Sequence, residues 1–360
     1  MWLWLALLAL PAAAEQMRVA TFAAPFTRDG PGLLLRDILA GDDAQAQAAI
    51  GVIVATAPDI LVLTAFDYDA GGAALGALAT ALRAQGLDYQ HSFATLPNSG
   101  LPTGLDLDGD GQAGRARDAQ GYGRFAGQAG LAVLSRWPID TGAVRDLSAL
   151  LWRDLPGATL PRNPDGTAFP SDAALAVQRL SSTAHWLVPV QAPGGVVDLL
   201  VWSATPPVFD GPEDRNGLRA RDELRLWQVL LDGGLGLPLP GGAFVIAGNS
   251  QLDPADGDGD RAAMAAFLTD PRWQDPAPRS AGGALAADAG QTGDPALDSA
   301  DWPDDAPGNL RVSYVLPSAR WQMRGAGVFW PAPDDPQATL LGADGLAAGP
   351  HRLVWVDIGR

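Results

Sequence analysis

The stretch VIAGNSQLDP, residues 245–254, has the form of a buried strand running out into a polar loop, and strand ends of that kind carry the chemistry of open α/β sheets. Its tip holds Asn249, Ser250 and Gln251, two amides and a hydroxyl, before Asp253. An amide keeps the hydrogen-bonding outline of a carboxylate. It has neither the charge that holds a metal ion nor the basicity that takes a proton. A second stretch is charged instead. GLDLDGDGQAG, residues 104–114, places Asp106, Asp108 and Asp110 at positions one, three and five of a calcium loop, with Gly111 at the sharp turn. Position twelve is Arg117 where a bidentate Glu belongs, so an EF-hand is not expected, and Asp118 or a distant acid has to complete the cage. The choice there is between a structural Ca²⁺ and a solvated acidic turn. Asp253, Asp256, Asp258 and Asp260 form a further acidic run after the VIAGNS strand, read as a solvated loop with a displaced metal site as the alternative. His91, His185 and His351 are too dispersed for a zinc signature, and the first two lie inside apolar strands as packed residues. Ser203 lacks the G-x-S-x-G surroundings of an activated serine.

Apolar, β-branched runs bounded by Gly, Pro or Asp give the strands that must position these groups. They cover 17–24, 59–66, 89–96, 130–139, 182–190, 196–204, 243–250, 310–318 and 351–358. Several are apolar on both faces, as strands inside a layered sandwich have to be. Helices are expected over the Ala-rich stretches 44–57 and 71–85. Another is expected in EDRNGLRARDELRLWQVLLDGG, where Leu224, Trp227, Leu230 and Leu231 share a face and Asp214 or Asn216 is the expected cap. Residues 98–127 and 269–308 are long, irregular and rich in Gly, Asp and Pro, the mark of either functional rims or disordered segments. No linker divides the chain, which reads as one domain over residues 15–360.

Forty-one acids against 24 bases leave a formal charge of −17, and every base is Arg. Such a field opposes the approach of phosphate chains, so nucleic acid is not an expected partner, whereas a local Arg cluster can still hold one small phosphorylated molecule. The first residues, MWLWLALLALPAAAEQM, join an apolar run to a small-residue cleavage site. That is a signal peptide over 1–14, too short to span a bilayer, and it predicts a secreted or periplasmic protein. No cysteine is present, which excludes disulfides, a thiolate metal site and lipid attachment through cysteine.

Taken in order, PDILVLTAFDYD, GLAVLSRWPI, LLVWSATPPVFDGPEDRNG, FVIAGNSQLDP, NLRVSYVLPS and the terminal HRLVWVDI resemble the endonuclease/exonuclease/phosphatase superfamily, and its secreted bacterial branch in particular. The resemblance implies a four-layer αββα sandwich of the α/β (α+β) class, with two packed mixed β-sheets flanked by helices and phosphoester hydrolysis by Mg²⁺ or Mn²⁺ at the strand ends. Position by position it implies losses. The family's first-strand Asn falls at Ala23, its metal-ligating Glu at Ala65, its His before TPPVFDG at Ser203, its Asp and Asn at Asn249 and Gln251, and a further Asp at Ser313. His351 alone matches the family's catalytic set. Arg124, Arg215 and Arg219 are the cations expected nearest the cleft, Arg124 and Arg215 as substrate-binding residues. A neutralised phosphoesterase with a binding or structural role follows from that pattern. An active hydrolase rebuilt from His351, Asp253 and the acidic loops is the alternative, with tentative metal ligands Asp106, Asp108, Asp110 and Asp253. A calcium-stabilised extracellular interaction module is a third reading.

Overall fold

The computed structural model describes residues 16–304 and 306–360, so the signal-peptide expectation for residues 1–14 lies outside the described residues. The first strands in chain order are β1 (Gln16–Phe22), β2 (Ile60–Phe66), β3 (His91–Phe93), β4 (Gly130–Ser135), β5 (Arg145–Asp146) and β6 (Ala184–Ala192). They are followed by β7 (Gly195–Ser203), β8 (Ala243–Asn249), β9 (Ser313–Pro317), β10 (Gln322–Val328) and β11 (Val354–Gly359). Two mixed sheets result, ordered β10-β11-β1-β2-β4-β3 and β5-β6-β7-β8-β9. Each contains one parallel neighbour pair, β1 with β2 and β7 with β8, among antiparallel ones.

Alternation along the strands decides what lies between the sheets. Val197, Leu199 and Val201 of β7, with Val245 and Ala247 of β8, join one large core that takes in residues from both faces of the other sheet, such as the consecutive Leu61 and Val62. Leu200, Trp202, Phe244 and Ile246 point the other way. They pack against Leu224, Trp227 and Leu230 of α5 (Arg215–Leu231) and against Met264 and Phe267 of α6 (Arg261–Leu268). On the far face of the first sheet lie α1 (Leu33–Ala40), α2 (Ala44–Thr56) and α3 (Ala73–Ala84). Two shorter helices, α4 (Asp172–Val177) and α7 (Ala281–Leu285), sit in connections. The order is helices, sheet, sheet, helices, as expected.

The two long connections are anchored rather than loose. In the first, Ser99 bridges Gly121 and Pro102 bridges Ala119. A Cβ on Gly121 would lie 1.7 Å from the Ser182 carbonyl oxygen, and one on Gly100, at φ 71°, would lie 1.8 Å from that of Phe125. Glycine is required where backbones pass that closely. In the second, Ala300 bridges both Leu310 and His351. The cap expected for α5 is not made. Asp214 holds the N-cap position in a left-handed conformation, but its side chain accepts nothing from the first turn. Asp260 does cap α6 by accepting from the Ala263 N–H, which gives that acid a structural task.

Candidate functional site

Parallel and antiparallel pairings together bring the C-terminal ends of β1, β2, β7 and β8 to one edge of the molecule, along with the start of β9. A cavity of about 520 Å³ opens there, in the size range of small-molecule sites, and both sheets contribute to it. Ala65 of β2, Ser203 of β7 and Gln251 just beyond β8 line it. Ala65 sits at a β-bulge with φ 79°, and Gln251 has φ 58°, both left-handed conformations uncommon for residues other than glycine and asparagine. Register then sets Ser203, Asn249 and Ser313 side by side on three neighbouring strands. Asn249 accepts the Gln251 N–H through Oδ1 at 3.0 Å, and the hydroxyl of Ser313 is buried without a partner. Ala23 is buried just past β1.

His351 is not among the residues lining the cavity: the resemblance offers it as the catalytic imidazole, but with Pro350 in place of the usual acidic neighbour a structural role at a strand edge is the stronger expectation. Its backbone pairs with Ala300, its ring meets Trp302 edge-on at 5.1 Å, and its Nδ1 is buried without a partner. Burial and then the adjacent Arg352 charge lower it to about 4, so the ring is neutral at pH 7. His185 behaves as a packed residue should. Its Nε2 donates to the Glu223 carbonyl oxygen at 3.0 Å, Nδ1 accepts from the Ser181 hydroxyl at 2.7 Å, and burial lowers it to about 3.

Three arginines reach the cavity: Arg117, Arg215 and Arg219. Arg219 donates to the carbonyl oxygens of Leu180 at 2.8 Å, Gln120 at 2.5 Å and Arg179 at 2.8 Å, and Arg215 donates to that of Leu107. Burial lowers both, Arg219 to about 10, which leaves them cationic at neutral pH. Arg117 is exposed at the mouth and reaches the Phe209 carbonyl at 3.4 Å. Among the described residues, none of the three has a carboxylate within ion-pairing distance, although Arg221 and Arg225 on the same helix α5 both pair with Asp222. Arg124 departs from expectation. It pairs with Asp29 and does not line the cavity.

Beneath the cavity lies Glu223, fully buried one helical turn after Arg219. Its Oε1 accepts from the Ser182 N–H at 2.6 Å and the Ser182 hydroxyl at 2.8 Å, and its Oε2 accepts from the Thr205 N–H at 2.8 Å. Burial raises its pKa, and the Arg219 charge and these donors oppose that rise. Ser182 and Thr205 both line the cavity, so one carboxylate fixes two parts of its wall.

A hard divalent cation needs carboxylate oxygens, and among the described residues no Asp or Glu lines this cavity. The nearest by sequence are committed elsewhere. Asp67 accepts the N–H groups of Arg28 at 2.7 Å and Ala129 at 2.9 Å. Asp253 accepts those of Ala255, Asp256 and Arg311 at 2.6–2.9 Å. Burial raises the pKa of each. The residues present do not fit Mg²⁺ or Mn²⁺, and Asp253 is not a free ligand as tentatively expected.

The acidic loop does assemble a cluster, with one substitution. Asp106, Asp108 and Asp118 bring carboxylate oxygens within 4.8 Å of one another. Asp110 turns away to pair with Arg115 at 2.7 Å, and Asp118 takes its place. Asp106 accepts from Gly109 and Gly111, while Asp118 accepts from Leu107 and Arg115. Burial and then the neighbouring carboxylates raise Asp108. Leu107, between two of these acids, is the residue whose carbonyl receives Arg215, so the cluster and the cavity share a wall.

The family model described as "Endonuclease/Exonuclease/phosphatase family" matches residues 34–349. The chain belongs to the endonuclease/exonuclease/phosphatase family. An endonuclease/exonuclease/phosphatase from Beutenbergia cavernae superposes with a TM-score of 0.53 at 18% identity, over 96% of this chain and 71% of that one. An endonuclease/exonuclease/phosphatase family protein from Leptotrichia buccalis gives 0.49 at 13% identity, over 96% of this chain and 100% of that one. Sphingomyelinase C from Streptomyces griseocarneus gives 0.49 at 16%, again over 96% and 100%. No curated protein sequence matches. Within this family fold, the sequence does not single out Arg117 at the cavity, which reads only as the flaw in a calcium motif, or Glu223 beneath it, for which the i, i+4 spacing from Arg219 is the available signal.

A second acidic region has a pH consequence. Asp298 accepts from Gln291 Nε2 at 2.6 Å, yet burial and then the carboxylates of Asp253, Asp256 and Asp288 raise it to about 7. A carboxyl raised above its unfolded value contributes stability fully present below about pH 4, and that share is lost as pH rises through about 7. Asp298→Asn is therefore expected to lift the unfolding midpoint at pH 8 and leave it nearly unchanged at pH 4. An identical pH profile for both proteins would remove Asp298 from the account.

Proposed function

We propose that this chain is an exported member of the endonuclease/exonuclease/phosphatase family whose divalent-metal phosphoesterase centre has been neutralised, and whose cleft binds a ligand without hydrolysing it. One observation carries the reading: among the described residues the cavity at the strand ends presents three arginines and no carboxylate. A cavity of that sign repels Mg²⁺ or Mn²⁺ and lacks the base that would deprotonate an attacking water. The rebuilt-hydrolase reading has less support, because Asp253 is occupied by three N–H groups and His351 lies off the cavity. Export rests on the apolar run and small-residue site in residues 2–14, and the mass of the mature protein tests it. Among the described residues, no single helix is long and apolar enough to cross a membrane.

The test is an assay of the purified chain on phosphomonoesters, phosphodiesters and nucleic acid with Mg²⁺, Mn²⁺ and Ca²⁺. No turnover above a heat-denatured control is expected. Metal-dependent turnover abolished by His351→Ala would overturn the reading.

A calcium-stabilised loop accompanies this reading, supported by the convergence of Asp106, Asp108 and Asp118. Oxygen ligands of like charge this close are relieved by a dication. A site filled to about a hundred times its dissociation constant adds about 2.7 kcal/mol of stability. Calcium is expected to raise the unfolding midpoint of the native chain and to leave that of Asp118→Asn unmoved. Equal midpoints in calcium and in chelator would dispose of the site.

A further inference from the structure

Of the aromatic residues described, only Tyr122 and Phe209 are exposed, at 64% and 73%, and both line the strand-end cavity from different loops. Phe209 is strained in that position. Its φ is 70°, a left-handed backbone that a bulky residue rarely adopts, and its carbonyl oxygen accepts from Arg117 at 3.4 Å. Rings left in water beside a cavity mark a surface that is covered when a ligand arrives. Deeper in, Ala65, Ala119, Ala129, Ala204 and Pro206 line the same space, so much of its wall offers only apolar contact.

Two guanidiniums in that wall keep donors open. Among the described residues, Nη1 of Arg219 and both Nε and Nη2 of Arg215 make no hydrogen bond, yet unlike Nε of Arg221, Arg311 and Arg352 they are not sealed from the surface. The remaining nitrogens of both side chains donate to backbone carbonyl oxygens, which holds the open ones in place. A few fixed N–H donors of this kind match the two oxygens of a carboxylate. Local charge argues against a dianion. Asp210 accepts the Asn216 N–H at 2.5 Å, one residue after Arg215, and the charges of Asp108, Asp210 and Glu213 all act on the Arg215 guanidinium. Beside that negative charge, one further unit is accommodated more readily than two.

From this arrangement we infer that the cavity binds an aromatic monocarboxylate, directly and without metal. Arg219 and Arg215 take the carboxylate, and the ring lies along the alanine wall beneath Phe209 and Tyr122. Arg117, exposed at the mouth, attracts the anion on approach. The inference rests on the neutralised-centre reading, because the carboxylates of a working metal centre would repel that of the ligand.

Calorimetric titration of the full chain in EDTA at neutral pH decides the matter, with cinnamate, cinnamamide, acetate and inorganic phosphate as probes. Cinnamate is expected to bind at least tenfold more tightly than each of the other three. The amide keeps the ring without the charge, and acetate keeps the charge without the ring. Phe209→Gly with Tyr122→Ala is expected to weaken cinnamate at least tenfold and to keep the unfolding midpoint, since glycine suits the left-handed backbone at 209. Arg215→Gln keeps a donor for the Leu107 carbonyl and is expected to bring cinnamate within threefold of cinnamamide. Should that variant not fold, the preference of the parent for cinnamate over its amide carries the same test. A folded parent that binds none of the probes overturns this assignment and leaves the inert centre standing. Cinnamamide or inorganic phosphate bound as tightly as cinnamate, or a double variant that holds cinnamate unchanged, also overturns it. Cinnamate binding that requires Mg²⁺, or metal-dependent turnover in the phosphoester assay, overturns the neutralised-centre reading as well.

Discussion

Glu223→Ala is expected to lower the unfolding free energy by about 3–5 kcal/mol, the range for breaking a buried charge-bearing network. The carboxylate is fully buried and is the acceptor for three donors, the Ser182 N–H, the Ser182 hydroxyl and the Thr205 N–H. Alanine leaves all three without it. Two are backbone groups that cannot turn towards water without moving the chain, and each unsatisfied buried donor costs about 1–3 kcal/mol. The same change removes the carboxylate whose charge supports Arg219, one turn earlier in α5. Glu223→Gln separates the parts. It keeps one oxygen for Ser182 but turns an NH₂ group towards the Thr205 N–H, donor against donor, so a cost of about 2 kcal/mol is expected. Denaturant unfolding of the three proteins checks the order, with the midpoint falling and the slope unchanged. A Glu223→Ala protein within 1 kcal/mol of the parent would mean that water or a neighbour already serves those donors.

Much of the fold was legible because its strands are doubly buried. Runs such as VVDLLVW and AFVIAGN have few other uses in a chain of this size, and their order by itself resembles the family. Among the elements the sequence does not announce, such as α1, α6 and β5, the longest strand is β10, which contains Gly325 and Gly327 and lies at a sheet edge with an exposed first half, so neither composition nor alternation marks it. Gly327 is there because the Trp355 indole of the neighbouring strand fills the space a side chain would take.

The site was legible only as a pattern of missing groups. Ala65, Ser203 and Gln251 were placed at the cavity by resemblance, whereas the charges that now define it come from a different logic. Arg117 lies in a loop whose local spacing advertised calcium, and only the turn of Asp110 towards Arg115 and of Asp118 into the cluster separates the two roles. Glu223 sits in RARDELRLW, which reads as the solvated face of a surface helix. It is buried because α5 sinks its N-terminal half beneath the cavity, and helical periodicity within one segment cannot report which loops will cover it.

The largest functional effect is expected from rebuilding the row across the second sheet. Ser203, Asn249 and Ser313 are neighbours in register on β7, β8 and β9, and Ala65 faces the same cavity from β2. The combined variant Ala23→Asn, Ala65→Glu, Ser203→His, Asn249→Asp, Gln251→Asn and Ser313→Asp would place carboxylates and an imidazole at adjoining strand ends. Gln251→Asn also suits the left-handed backbone there better than glutamine does. Single changes are expected to fail. Asn249→Asp alone puts a carboxylate at 2% exposure with no cation to meet it, which lowers stability and produces no turnover. Residues that act as a unit return activity only together, and an acid/base function is worth about 10²- to 10⁴-fold in rate. The combined variant should therefore hydrolyse a phosphodiester in Mg²⁺ at least 10²-fold faster than the parent. Its clustered carboxylates should also make its unfolding midpoint rise with Mg²⁺, while that of the parent stays fixed. The second readout protects the test from a site that binds metal but aligns substrate poorly. A folded variant indifferent to Mg²⁺ in both measurements would place the lesion outside these positions, in the arginines of the cavity itself, whose positive field the new carboxylates would then have failed to overcome.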